Sequence, residues 1–190
     1  MTAAGDTGPG AGGGPCAAGK AGYVQIYTGD GKGKTTAALG LALRAWGHDR
    51  RVVVLQFMKA DPTWGEIVAL HRIGIDVVQA GLDHWVRKGQ VTDEDLAAAA
   101  AGFAKARVIV ASGLFDVVVL DEIWTAVYFD LVPLTDVLAL MRDKPAPLEL
   151  VMTGRRAPEE AIDVADLVTE MRSLKHYFDA GVPARAGIEY

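Results

Sequence analysis

The chain reads as an α/β protein with a mostly parallel central sheet covered by helices on both faces. Three observations predict this class. The apolar run RVVVLQF (Arg51 to Phe57) has too little polar alternation for a half-exposed strand, and FDVVVL (Phe115 to Leu120) and LELVMT (Leu148 to Thr153) are further strong strand candidates. Helix-like segments separate these runs, the alternation that builds parallel sheets through crossovers. A glycine-rich stretch also stands between the first strand and the first helix.

Taken in order, Tyr23 to Tyr27 is the first strand and Ala37 to Trp46 the body of the first helix. The second strand, Arg51 to Phe57, is followed by a helix over Glu66 to His71, and Ile75 to Val78 is a short third strand. Asp93-Glu94-Asp95 opens a long helix reaching about Val110, since acids favour the positive end of a helix. Phe115 to Leu120 is the next strand, Pro133 to Arg142 a helix and Leu148 to Thr153 another strand. Pro158 begins a helix running to Val164, where its missing N–H goes unmissed, and Leu167 to Val168 belongs to a last short strand. In such a sheet, ligands gather beyond the carboxyl ends of the strands.

The segment Thr28-Gly29-Asp30-Gly31-Lys32-Gly33-Lys34-Thr35-Thr36 carries the chemistry. Glycines let successive amide N–H groups converge on phosphate oxygens, and the helix behind adds its dipole. Lys34 is then the bridge to the outer phosphates, Thr35 the hydroxyl ligand of a magnesium ion, and Thr36 a closing residue of the first helical turn. Thr28 stands where glycine usually opens this motif. The context makes the expected fold that of the P-loop nucleoside triphosphate hydrolases. Asp121 and Glu122 directly follow a strand, where a magnesium-organising acid beside such a loop belongs, with capping of the next helix as the alternative role. Arg155, in Thr153-Gly154-Arg155, is placed to grip phosphate or carboxylate in two-pronged fashion. Gln56, Lys59, Trp64 and Glu66 are weaker candidates just beyond the second strand, and Trp85 lies on a loop emerging from the ligand side.

Composition narrows the function further. A chain of 190 residues, half of them hydrophobic, buries one substantial core, giving a single domain over 22–190. Residues Met1 to Ala21, rich in Gly and Ala, read as a mobile tail, with ordering of its last part over a bound nucleotide as the functional alternative. A net charge of -5 without a basic block excludes a general nucleic-acid binder. Cys16, the only cysteine, excludes an intrachain disulfide and a cysteine metal cluster. No apolar run is long enough to span a bilayer and no export signal is visible, so a cytoplasmic location is expected. The four histidines have no metal-ligand spacing, and Ser112 has no nucleophile signature.

These motifs leave ATP hydrolysis, phosphoryl transfer and use of another part of ATP open. The wider pattern resembles the P-loop type of ATP:corrinoid adenosyltransferases. The resemblance runs through Tyr27 to Ala38, Leu43-Arg44-Ala45, Val54 to Lys59, Trp64-Gly65-Glu66, Val118 to Glu122, Thr153 to Pro158, Ala165 to Met171, Lys175-His176, Gly181 and the closing Gly187-Ile188-Glu189-Tyr190. It implies transfer of the 5′-deoxyadenosyl group of ATP to a Co(I) corrinoid, with tripolyphosphate leaving. It also implies Lys34, Thr35 and Glu122 as catalytic residues, magnesium at Thr35, Asp121 and Glu122, and substrate contacts from Gly29 to Thr36, Arg44, Arg155 and Trp85. Trp85 matches an aromatic corrin-facing position, whereas Asp83 stands where a second aromatic is usual. A homodimer served by a reduced flavoprotein or flavin is implied as well. The competing readings are a P-loop ATPase or kinase, which releases ADP, and a noncatalytic ATP-responsive corrinoid carrier.

Overall fold

The computed structural model describes residues 21–84 and 86–190. The expectations for residues 1–20 and for Trp85 itself lie outside the described residues.

Among the described residues, six strands form one sheet in the order β3-β2-β4-β5-β1-β6. They are β1 (Val24–Thr28), β2 (Val52–Phe57), β3 (Asp76–Ala80), β4 (Val117–Asp121), β5 (Glu149–Thr153) and β6 (Leu167–Glu170). Every pairing is parallel, so all carboxyl ends share one edge. Among the described residues the connecting α-helices are α1 (Lys34–Trp46), α2 (Gly65–Arg72), α3 (Asp93–Ala111), α4 (Ile123–Tyr128), α5 (Leu134–Asp143) and α6 (Glu159–Val164). A 3-10 turn at Tyr177–Ala180 precedes the C-terminal residues.

The lack of polar alternation has a simple cause. Val52, Val54, Val117, Val119 and Val151 face one side, against Ala38 and Ala42 of α1 and Leu70 of α2. Val53, Leu55, Phe57, Val118, Leu120, Leu150 and Met152 face the other, against α3 and the helices after β4. Alternate residues therefore enter two cores instead of core and solvent. β6 is the exception: it lies at the sheet edge and its four residues are exposed.

Several boundaries move. α1 begins at Lys34, three residues before the expected Ala37, because Gly33 takes φ 118° and turns the loop straight into the helix. β3 runs on to Ala80, and β1 and β4 extend to Thr28 and Asp121. Pro158 and Pro133 precede their helices as N-caps. The short helix α4 was not anticipated; it follows Glu122, whose φ of 61° makes a sharp corner at the strand end. At α3 the acids form the expected start, with Thr92 and Asp95 completing a capping box. His84 Nε2 sits 3.0 Å from Asp95 Oδ1, tying the loop after β3 to this helix start.

Close packing of α3 on the sheet depends on Gly102. A β-carbon there would stand 2.2 Å from Ala80 Cβ. Gly102→Ala is expected to lose roughly 1–3 kcal/mol of stability in urea titrations despite its better helix propensity. Gly40→Ala on α1, where the added methyl meets nothing within 4 Å, is expected to gain about 0.5–1 kcal/mol in the same measurement.

Candidate functional site

The glycine loop joins β1 to α1 at the carboxyl edge of the sheet, and its conformation is set from behind. Gly31 N–H donates to Met171 O at 2.7 Å, and Met171 N–H donates to Thr28 O at 2.8 Å. A β-carbon on Gly29, at φ 96°, would lie 2.4 Å from Met171 O, and one on Gly31 would lie 2.8 Å from it. Glycine is thus required here by the chain leaving β6 before any ligand is considered. Thr28 is also explained: it is buried as the last residue of β1, and its hydroxyl accepts from Ala157 N–H at 3.1 Å.

Lys34 is buried and folds back along the loop, donating to Gly29 O at 2.8 Å and Gly31 O at 2.7 Å. Burial, then the nearby Arg155 charge, lowers its pKa, with Glu122, Asp30 and Asp121 opposing. Its neighbour Thr35 donates its hydroxyl to Asp121 Oδ1 at 2.8 Å.

Asp121 is fully buried and collects four donors. Thr35 and Thr153 hydroxyls meet Oδ1 at 2.8 and 2.7 Å, while Lys59 Nζ and Gln56 Nε2 meet Oδ2 at 2.8 and 3.3 Å. Register explains part of this set, because Gln56 pairs with Asp121 across β2 and β4, and Thr153 ends the next strand. Burial opposes the charge on Lys59, but Asp121, aided by Glu122 and Glu66, outweighs it and raises the pKa.

Glu122 turns out of the strand by its left-handed φ. Its N–H donates to Thr153 Oγ1 at 3.0 Å, and its carboxylate accepts the Thr125 hydroxyl. Thr125 Oγ1 in turn accepts from Arg155 N–H at 3.1 Å. Acid, α4 and the β5 loop are thereby joined. The Arg155 side chain is exposed and 3.5 Å from exposed Asp30, a pair that solvent screens heavily.

Lys32, Lys34, Thr35, Thr36, Lys59, Glu122 and Arg155 all line one cavity of about 820 Å³. Its apolar wall comes from Leu39 and Leu43 of α1, Ala69 and Leu70 of α2, and Ile73 just after that helix. Gly187, Ile188, Glu189 and Tyr190 close another side. Lys32 holds that closure, donating to Ile188 O at 3.1 Å with Glu189 Oε1 at 3.5 Å. Hydrogen bonds from Arg185 and Tyr177 hold the Glu189 carboxyl down at about 2.

Most expected site residues therefore converge. Arg44 does not: it stands in the last turn of α1 and is outside the cavity lining among the described residues. Asp30 is exposed at the mouth, paired with Arg155. Gln56 and Lys59 matter more than isolated residues should, because strand register sets Gln56 opposite Asp121 and the turn at Met58 brings Lys59 to the same carboxylate. Thr125 gave no signal in the sequence, since α4 itself was not foreseen.

Fold and site together define a parallel α/β protein with a glycine loop, lysine, hydroxyl and strand-end acids around one cavity. The chain belongs to the ATP:corrinoid adenosyltransferase BtuR/CobO/CobP family, which it matches over residues 20–190. It is 40% identical over 173 residues to the corrinoid adenosyltransferase CobA of Salmonella typhimurium, covering 89% of this chain and 86% of that protein. The Escherichia coli K12 corrinoid adenosyltransferase is 38% identical with the same coverage. That of Pseudomonas aeruginosa is 35% identical over 170 residues, covering 89% of this chain and 84% of its own length.

Two outcomes follow from the geometry. Lys59→Met leaves the buried Asp121 charge without its cation and is expected to cost about 3 kcal/mol or more in chemical denaturation. The depressed Glu189 pKa means that its contacts contribute fully above the ordinary 4.5 and are lost as pH falls toward about 2. Amide protection factors in residues 177–190, taken against the intrinsic exchange rate at each pH, are expected to fall across that window ahead of those in the sheet.

Proposed function

We propose that this protein transfers the 5′-deoxyadenosyl group of ATP to the cobalt of a corrinoid, releasing tripolyphosphate. The observation that carries the reading is the convergence of Lys34, Thr35 and Glu122 on one cavity, in a chain of this family.

In the proposed mechanism, the amides of Gly29 to Thr36 and the start of α1 take the triphosphate. Lys34 exchanges its two loop carbonyls for phosphate oxygens, while Arg155 at the mouth adds a second cation. Arg44 is reserved for a contact outside the present cavity. The Co(I) acceptor is itself the nucleophile: its electron pair forms the cobalt–carbon bond as the 5′ carbon–oxygen bond breaks and the electrons leave with tripolyphosphate. No side chain has to remove a proton. The protein aligns cobalt, carbon and leaving oxygen, and neutralises charge that grows on the leaving group.

The oxygen donors Thr35 and Glu122 suit a hard divalent cation such as Mg2+, with Asp121 behind them. All four donors to Asp121 fit this division: they orient the Thr35 hydroxyl and leave the exposed-side acid, Glu122, as the direct ligand. When bound, Mg2+ supplies charge neutralisation for the leaving triphosphate. A carboxylate so occupied is also a poor base for activating water, which favours transfer over hydrolysis. Trp85, with its loop, is assigned to the corrinoid side. A cytoplasmic homodimer, with a reduced flavoprotein or flavin giving the electron that takes the corrinoid from Co(II) to Co(I), completes the reading. Among the described residues, no helix is long and apolar enough to cross a membrane.

Mixing the protein anaerobically with MgATP and chemically reduced corrinoid is expected to give adenosylated corrinoid and tripolyphosphate in equal amounts. ADP as the nucleotide product makes it an ATPase or kinase, and corrinoid binding without turnover makes it a carrier. Glu122→Gln is expected to lower the initial rate on the order of 100-fold while the circular dichroism spectrum is retained.

A further inference from the structure

The acidic end of the cavity already holds a cation of its own. Lys59 Nζ lies 2.8 Å from Asp121 Oδ2, with the lysine side chain 14% exposed and the aspartate side chain fully buried. The Trp64 ring is next to the ammonium, its centre 5.4 Å from Nζ. This approach is built into the backbone. Met58 takes φ 59° and donates its N–H to Ala80 O at 3.0 Å, and a β-carbon on Gly81 would stand 2.3 Å from Lys59 N. The chain leaving β3 thus packs directly on the turn that brings Lys59 to the end of β4.

A carboxylate offers about four lone-pair positions. Among the described residues Asp121 receives four donors, the Thr35 and Thr153 hydroxyls on Oδ1 and Lys59 and Gln56 on Oδ2. A metal ion can ligate Asp121 only by evicting one of them. Thr35, by contrast, gives its hydrogen to Asp121, which leaves the lone pairs of its oxygen for a metal. Glu122 accepts the Thr125 hydroxyl through Oε2, and among the described residues its Oε1 has no hydrogen-bond partner.

Charge points the same way. Asp121 and Glu122 bring two negative charges, and Lys59 and Lys34, each in the field of both acids, bring two positive ones. A free divalent cation therefore meets one hydroxyl and one carboxylate in surroundings that are already neutral. Mg2+ wants six oxygens and gives up water reluctantly, so phosphates are needed to complete a shell that the protein leaves short.

We propose that Lys59 makes metal binding conditional on the nucleotide: its ammonium closes Asp121, so that a divalent cation is held only together with a triphosphate. This rests on the metal and triphosphate of the adenosyltransferase reading and adds the condition under which the metal is held. Lys59 acts through Asp121 and touches no reacting atom, which makes it a positioning residue. Without its charge, Asp121 and Glu122 become an open acidic pair able to take a dication alone.

Equilibrium dialysis against Mn2+ alone, and against Mn2+ with ATP, tests this by counting the excess metal on the protein side. The unaltered protein is expected to retain Mn2+ with ATP and none at the same concentration without it. Lys59→Gln, with its fold checked by circular dichroism, is expected to bind Mn2+ alone roughly tenfold or more tighter than the unaltered protein. Lys59→Arg is expected to restore the unaltered behaviour. Adding Glu122→Gln to Lys59→Gln is expected to abolish the new binding; binding that survives it lies elsewhere and overturns the proposal. Thr153→Val removes a donor to Asp121 but no charge, and an equal gain there overturns the role of Lys59. So does a folded Lys59→Gln that gains nothing. Equal retention of Mn2+ with and without ATP by the unaltered protein overturns the proposal without any variant. Retention of Mn2+ with ATP but no adenosylated corrinoid sinks the reaction and leaves the conditional site standing.

Discussion

The buried carboxylate of Asp121 is the constraint around which the site is organised. An ionised group in a parallel sheet is tolerable only when its oxygens are satisfied, and here β2, β5, α1 and the loop after β2 each supply a donor. The same bonds that neutralise Asp121 set the position of Thr35, fix the end of β5 through Thr153 and draw Lys59 into the cavity wall. Glu122 then inherits its direction from its neighbour, since its N–H rests on the hydroxyl that Asp121 holds. Stability and site geometry are one network at this point.

The sheet makes that network possible because it is sealed on both faces. Alternate residues of β2, β4 and β5 feed two separate cores, leaving the carboxyl edge as the place where backbone and polar side chains meet solvent. Glycines at 29 and 31 serve the same packing: they allow the segment after β6 to lie directly behind the loop. Their presence in the sequence thus reports on a neighbouring chain segment as much as on a phosphate.

The fold was legible because its signals are local. Continuous apolar runs, a capping box at Thr92 and a glycine loop between strand and helix each declare themselves within a few residues. The site was legible where it lies along the chain, at Lys34, Thr35, Asp121, Glu122 and Arg155. Other members depend on relations the linear order does not display. Gln56 reaches Asp121 through strand register, and Lys59 through a turn at Met58 with φ 59°. Helix α4 escaped notice because six residues are too few for a helical period to stand out, and its start depends on a left-handed glutamate that no propensity favours. Arg44 shows the converse: membership of a matching block along the chain does not by itself bring a side chain into the cavity.

Lys34 already has oxygen partners, the carbonyls of Gly29 and Gly31. A polyphosphate bound as proposed would not meet a bare ammonium; it would compete with the loop's own backbone for it. A ligand that offers a single weakly placed oxygen gains little from that exchange, whereas a chain of phosphates replaces both carbonyls and meets the loop amides as well. On the proposed reading the lysine becomes a length gauge: a nucleoside monophosphate gains little hold, and tight capture is kept for the extended anion.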